Sequence, residues 1–186
     1  MLNYYEKELF ACGWISGIPY WDWTRDYGNS AKFFASPLFD PVLGFGGNGD
    51  YVPGDFDHPA PGMTVGPPWD IPDRTGGGCI KTGPFKNWKV HVGPATSLAA
   101  TTRCVRRDFA PVYFNNATGN PFLQLALTQA DYGWFARQAE FFTHSGGHIG
   151  IGGLYGDMSD VASSRECFPF AADHCFSGAQ GSNVAL

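Results

Sequence analysis

Apolar positions recur at helical spacing near both ends of this chain and lose any period between them. Leu2, Tyr5, Leu9 and Cys12 fall on one stripe, and Gly13 stands where such a helix would stop. This segment opens on its apolar face with no cap before it, as the second half of a helix would. A second periodic stretch begins near Thr128, which with Asp131 three residues on has the form of a capping box, Asp replacing the usual Glu. Tyr132, Phe135, Ala139 and Phe142 then make an apolar stripe, which predicts core packing. Glu140, His144 and His148 form the neighbouring stripe at spacing four. On a helix that spacing stacks the two imidazoles on one face, close enough to share a metal ion. The bland alternative is one packed and one solvated histidine beside a Gly-rich turn. Ser145-Gly146-Gly147 costs this turn ~2 kcal/mol relative to alanines. The stretch therefore needs outside support, which a bound metal would give.

The middle of the chain, from Tyr27 to Thr102, reads as loop. Ser36-Pro-Leu-Phe-Asp40, Gly44-Phe-Gly-Gly-Asn-Gly49 and Gly66-Pro-Pro-Trp69 supply successive turns. The glycine run lacks the lysine and the strand-to-helix setting of a phosphate cradle. Ahead of it, Ile18-Pro-Tyr-Trp-Asp-Trp-Thr-Arg-Asp26 packs three aromatics, two carboxylates and an arginine into nine residues. That segment predicts an aromatic core with an Asp–Arg pair fixing a loop. Arg103, Arg106 and Arg107 form the one basic cluster, suited to holding carboxylates or loop carbonyls in a rigid fork of donors. His58 and His91 sit in Pro/Gly-rich surroundings and read as surface histidines.

Composition adds limits. A length of 186 residues is that of a single domain, able to bury about 70% of its unfolded surface. A hydrophobic share of 44% with 16% aromatics excludes a disordered chain, and 25 glycines with 14 prolines point to long loops. The net charge of −5, with no basic stripe, argues against nucleic acid, and no apolar run is long enough to span a bilayer. Met1-Leu-Asn-Tyr-Tyr-Glu-Lys-Glu is not a signal peptide. Five cysteines (Cys12, Cys79, Cys104, Cys167, Cys175) include no C-x-x-C pair, which disfavours a zinc ribbon. They permit one or two disulfides, Cys79 with Cys104 among the options. Asn116-Ala117-Thr118 is a glycosylation sequon.

Six of these segments occur in a fixed order: Pro-Tyr-Trp-Asp-Trp, Ser-x-Leu-Phe-Asp, Gly-Phe-Gly-Gly-Asn-Gly, Gly-Pro-Phe, Arg-Cys-x-x-Arg-Asp and His-x-x-x-His-x-x-x-Gly-Gly. Together they resemble the tyrosinase / catechol oxidase family, in its short fungal branch with a type-3 dicopper centre. The resemblance implies a mainly α fold, a partial four-helix bundle in long irregular loops with little β. Residues 1–164 would be the partial copper-binding domain. In the family each copper takes three histidines, and the pair uses dioxygen to oxidise phenols and catechols to quinones. By motif match, His144 and His148 are two ligands of the second copper. An acceptor behind each ring usually orients it, and Glu140 can serve there or be a solvated helix residue. Ser145 replaces an asparagine tied in the family to deprotonating monophenols, which tilts the expected activity toward diphenols.

Departures from the family pattern are equally specific. The Trp-His-Arg segment and the earlier ligands of the first copper would lie upstream of Met1, which therefore reads as an internal methionine. Secretion is expected if a signal peptide lies further upstream. The family continues after Ser163-Ser164 with Ser-Pro-x-Asp-Pro and a His-His pair; here Arg165-Glu-Cys167 follows. His174 is the single histidine in that tail, in surroundings that do not match. Residues 165–186 are expected to be a non-family, disordered tail.

Four functions are compatible with these residues. A copper-dependent phenol oxidase, with dioxygen and a small phenol as partners, follows from the resemblance. A truncated, non-catalytic product with at most one weak metal site follows from the departures. A dioxygen carrier is disfavoured by the short chain and fungal-type loops. A zinc hydrolase is disfavoured because no Glu follows His144. Arg165-Glu-Cys167 can be encoded CGT GAG TGT, which holds the donor splice signal GTGAGT after the first base of a codon. Translated intron is thus expected from Arg165 on: the mature transcript should be spliced after Ser164, and sequencing that finds continuous coding sequence there rules it out.

Overall fold

The computed structural model describes residues 2–53, 71, 73–92 and 99–158. His58, His174, Cys167, Cys175, the Gly66–Trp69 turn and the 165–186 tail lie outside the described residues. The architecture is mainly α, as expected: α1 (Leu2–Ala11), α2 (Trp23–Asp26), α3 (Ser30–Phe34), α4 (Pro111–Thr118), α5 (Asn120–Leu127), α6 (Tyr132–Gln138) and α7 (Ser145–Gly152). A 3-10 turn spans Pro37–Phe39, and a π-helical segment, Ala139–His144, joins α6 to α7 without a break. Strands are short. β1 (Gly49–Tyr51) pairs antiparallel with β2 (Gly77–Ile80), and β3 (Lys89–Val90) with β4 (Arg103–Cys104).

Helix α1 stops at Gly13 for a clear reason. Gly13 takes φ +89°, its N–H reaches the Phe10 carbonyl at 2.9 Å, and the Trp14 N–H reaches the Leu9 carbonyl at 3.0 Å. The stripe on α1 is less buried than its spacing predicts. Tyr5 and Leu9 are half-buried, while Leu2 and Cys12 are exposed.

The core gathers Phe33, Phe109, Phe114 and Ile151, with Trp21, Trp23 and Phe39 packed against them. Trp21 stacks on Phe114 at 5.2 Å. The aromatic core expected of the Pro-Tyr-Trp-Asp-Trp stretch is there, but its carboxylates are used differently. Asp22 caps α2 by accepting from the Thr24 N–H at 3.2 Å. Asp26 is buried and accepts from the Trp21 indole (2.6 Å) and the Ser36 hydroxyl (2.8 Å), while Arg25 stays exposed. An indole N–H and a hydroxyl satisfy this carboxylate without the desolvation that a guanidinium would bring.

One fully buried carboxylate ties these layers together. Asp108 Oδ1 accepts from the Gly76 N–H at 2.8 Å, and Oδ2 accepts from the N–H groups of Leu154 (3.0 Å) and Tyr155 (3.2 Å). Arg74 completes it at 3.3 Å. The adjoining basic cluster holds loops as its composition predicts. Arg107 donates to the carbonyls of Phe45, Gly46 and Gly47, and Arg103 pairs with Asp157. The glycine run is therefore a packed loop: Gly46, at φ +82°, leaves room for nothing but hydrogen against the Thr82 carbonyl. A disulfide joins Cys79 to Cys104, with Cα atoms 5.6 Å apart.

Two local expectations need correction. Asp131 is itself the N-cap of α6, accepting from the Trp134 N–H at 2.9 Å, whereas Thr128 closes α5 with its hydroxyl on the Gln124 carbonyl. Thr128 and Asp131 thus belong to two helices. The Tyr132/Phe135 end of the apolar stripe faces outward, at 80% and 36% exposure, while Phe142 is half-buried and stacks on Phe122 at 4.9 Å. The π-helical segment breaks the 3.6-residue period between these positions, so one stripe cannot stay on one face.

Asp108→Ala would strand three backbone donors and Arg74 in the interior. The expected loss is about 3–5 kcal/mol, or on the order of 10 °C in Tm, read by thermal unfolding of the purified chain. A shift of a degree or less would show that these donors find other partners.

Candidate metal centre

The two stacked histidines are placed by the π-helical segment and α7 together. Across the π segment the Ser145 N–H bonds back to the Glu140 carbonyl, five residues earlier. Side-chain hydroxyls cover carbonyls around this wide turn. Thr143 donates to the Ala139 carbonyl at 2.9 Å, and Ser145 to that of Phe141 at 2.6 Å. Tyr113 on α4 also bonds to the Ser145 side chain, and burial pushes its hydroxyl pKa up. A single-turn π segment of this kind is frequent at functional sites.

Three glycines let α7 lie directly on α4 and Trp23. A Cβ on Gly146 would stand 2.7 Å from Ala117 Cβ and 2.6 Å from Thr118 Cγ2. One on Gly147 would meet Trp23 Cζ2 at 2.9 Å, and one on Gly150 would meet Phe114 Cβ at 2.8 Å. Close packing therefore supports the glycine-rich turn, in place of the metal that its low helix propensity had suggested. The propensity cost is offset by helix–helix contact.

His144 and His148 come together as their spacing predicts. Their Nε2 atoms are 2.9 Å apart and their rings meet edge to face at 4.6 Å. Behind each ring stands an oxygen. His144 Nδ1 faces Glu140 Oε2 at 2.7 Å, and His148 Nδ1 faces the Met158 carbonyl at 2.5 Å. A carbonyl accepts only, and so does an ionised carboxylate, so each Nδ1 carries the hydrogen. Both Nε2 lone pairs are then turned toward each other. Two lone pairs at that distance repel, and the arrangement calls for a shared proton or a cation between them. Oxygen acceptors behind metal-facing imidazoles are the usual device for fixing tautomer and aim. Burial holds the His148 pKa below the ordinary histidine value, against an opposing pull from the Met158 carbonyl, so the neutral, donor-capable ring is favoured.

Among the described residues no group of three or more His, Cys, Asp or Glu side chains is placed to hold a metal ion. His91 is exposed at the end of β3, away from the pair's helix, as a surface histidine should be. The Met158 carbonyl escaped sequence reading entirely, because a backbone acceptor ten residues downstream leaves no mark in residue types. Glu140 did leave one, in its spacing of four from His144.

A mainly α domain wrapped in loops, with a vertical imidazole pair on one helix, is an architecture of the copper-oxidase type. Residues 1–176 match the model of the common central domain of tyrosinase, and the chain belongs to the tyrosinase family. Tyrosinase P of Aspergillus terreus is 41% identical over 96 residues, covering 48% of this chain and 24% of that protein. N-acetyl-6-hydroxytryptophan oxidase of Emericella nidulans is 30% identical over 197 residues, covering 89% of this chain and 50% of that protein. The solved polyphenol oxidase of Thermothelomyces thermophila superposes with a TM-score of 0.63 at 30% identity, covering 86% of this chain and 47% of that one. The chain spans about half the length of these relatives, or less.

Gly146→Ala and Gly150→Ala give a test by sign. If packing on α4 supports the turn, each should destabilise the metal-free chain by about 1–3 kcal/mol in denaturant titrations. If a bound ion were the support, each should instead stabilise it by up to ~1 kcal/mol through helix propensity.

Proposed function

We propose that His144 and His148 hold one copper ion through their Nε2 atoms, as part of the metal centre of a copper-dependent phenol oxidase. The observation carrying this reading is the pair of lone pairs facing each other at 2.9 Å with both Nδ1 positions already engaged. Imidazole nitrogen suits copper in either oxidation state, and family membership favours copper over zinc, nickel or iron. Copper bound in such a centre supplies the dioxygen binding and redox chemistry that convert catechols to quinones. The chain's own residues prepare the donors: Glu140 keeps the proton on His144 Nδ1, the Met158 carbonyl keeps it on His148 Nδ1, and burial keeps His148 neutral. A small phenol or o-diphenol is the proposed substrate. The name of the Emericella nidulans relative, an oxidase of a hydroxylated aromatic, supports that class.

We further propose that the 186-residue polypeptide by itself does not turn over. A dicopper centre of three histidines per ion needs six, and the whole sequence contains five. Residues 1–164 act in this reading as a partial copper domain with one metal position.

Copper titration of the purified chain should saturate at no more than one ion, with binding abolished in His144→Ala and His148→Ala. Glu140→Gln should weaken copper affinity about tenfold while leaving Tm unchanged, because the Glu140 side chain is 62% exposed. No quinone should form from catechol. Two coppers per chain, or copper-dependent quinone formation by this polypeptide alone, would overturn the proposal.

A further inference from the structure

The Asn116-Ala117-Thr118 triplet is the chain's single Asn-x-Ser/Thr sequence, and the metal site makes no use of it. Its three residues have sharply different surroundings. α4 buries Pro111, Phe114, Ala117 and Thr118. Asn116 follows Phe114 by two positions, which on a helix turns its side chain to the opposite face, and it is exposed. Its neighbour Asn115 is committed, accepting from the Gly28 N–H at 2.7 Å and donating to the Pro111 carbonyl at 2.8 Å. Thr118 is fully buried, with its hydroxyl donated to the Phe114 carbonyl at 2.7 Å. Separately, the Cys79–Cys104 disulfide places the chain in an oxidising compartment, where N-glycosylation takes place.

We propose that Asn116 is an N-glycosylation site modified before α4 packs against α7, and that the folded chain is closed to the transferase. A transferase reading this triplet must reach the threonine hydroxyl as well as the asparagine amide. In the folded chain that hydroxyl is sealed between α4 and α7, where Gly146 lies directly on Thr118. In the transfer, Asn116 Nδ2 forms a bond to the anomeric carbon of a lipid-linked oligosaccharide. The bond from that carbon to the lipid diphosphate breaks, the diphosphate leaves with the electron pair, and one amide proton is released. The finished glycan is tolerated because it grows from the face of α4 opposite α7. It therefore leaves the histidine pair uncovered, and the proposal requires nothing of copper.

The chain is translocated into a eukaryotic secretory lumen behind a cleavable leader, and peptide mass spectrometry reads Asn116 in all lumenal material, folded or not. One glycan per chain is expected, removed by peptide N-glycosidase and absent in Asn116→Gln. In a second arm, bacterially produced, disulfide-bonded chain and a synthetic peptide of residues 110–122 are each given purified oligosaccharyltransferase and lipid-linked oligosaccharide. Transfer to the folded chain should be slower by more than about tenfold, since α4 must open first. An unmodified Asn116 in the lumenal chain overturns the site, and equal transfer to folded chain and peptide overturns its timing.

Discussion

The fold hangs on a carboxylate removed from water. Asp108 is fully buried, and it accepts from the backbone of β2's approach and of the turn leaving α7 at the same time. A charge in that position is tolerable only with every lone pair occupied, and three N–H groups with one guanidinium achieve this. Its reach extends to the histidines. The donors at Leu154 and Tyr155 fix the turn after α7, Gly153 takes φ +49° against the Asp108 backbone, and Asp157 is held by Arg103 and the Arg106 N–H. Met158 follows directly, and its carbonyl is what orients His148. Thus a loop anchor some forty residues upstream in sequence decides where one imidazole points.

From the other side, the helix carrying the pair is located by what it lacks. Gly146, Gly147 and Gly150 bring α7 onto Ala117, Thr118, Trp23 and Phe114 at distances that any side chain would prevent. Low helix propensity and tight packing are two aspects of one choice, and the second outweighs the first. The same strip leaves the opposite side of the helix to His144, His148 and Glu140. Position, tautomer and charge at the pair are therefore set by independent elements: α4 for position, Glu140 and Met158 for tautomer, burial for charge.

Much of this was legible from residue types. Gly13 ends α1, the arginine cluster holds loop carbonyls, Cys79 pairs with Cys104, and spacing four stacks the imidazoles. Each of these is a local or chemically specific signal. What could not be read depends on backbone hydrogen bonds and distant packing. Asp131 and Thr128 look like one capping box but cap separate helices, because nothing in the letters marks the break at Gln129–Ala130. Asp26 is satisfied by an indole and a hydroxyl rather than by the arginine beside it. Tyr132 and Phe135 count as a core stripe only if the helix keeps an unbroken period, which the π segment denies them.

That π segment is a place where the helix carries one residue more than a regular turn holds. Removing one residue between Ala139 and His144 would restore ordinary winding and swing everything beyond it by about 100° around the axis relative to α6. The glycine strip would then leave α4, and the imidazoles would follow it. The surplus residue works as a clutch between two halves of one rod, letting the outward half and the metal-facing half keep separate phases. Insertions or deletions are tolerable elsewhere in the loops, but here a single one would decouple the donor pair from the wall that positions it.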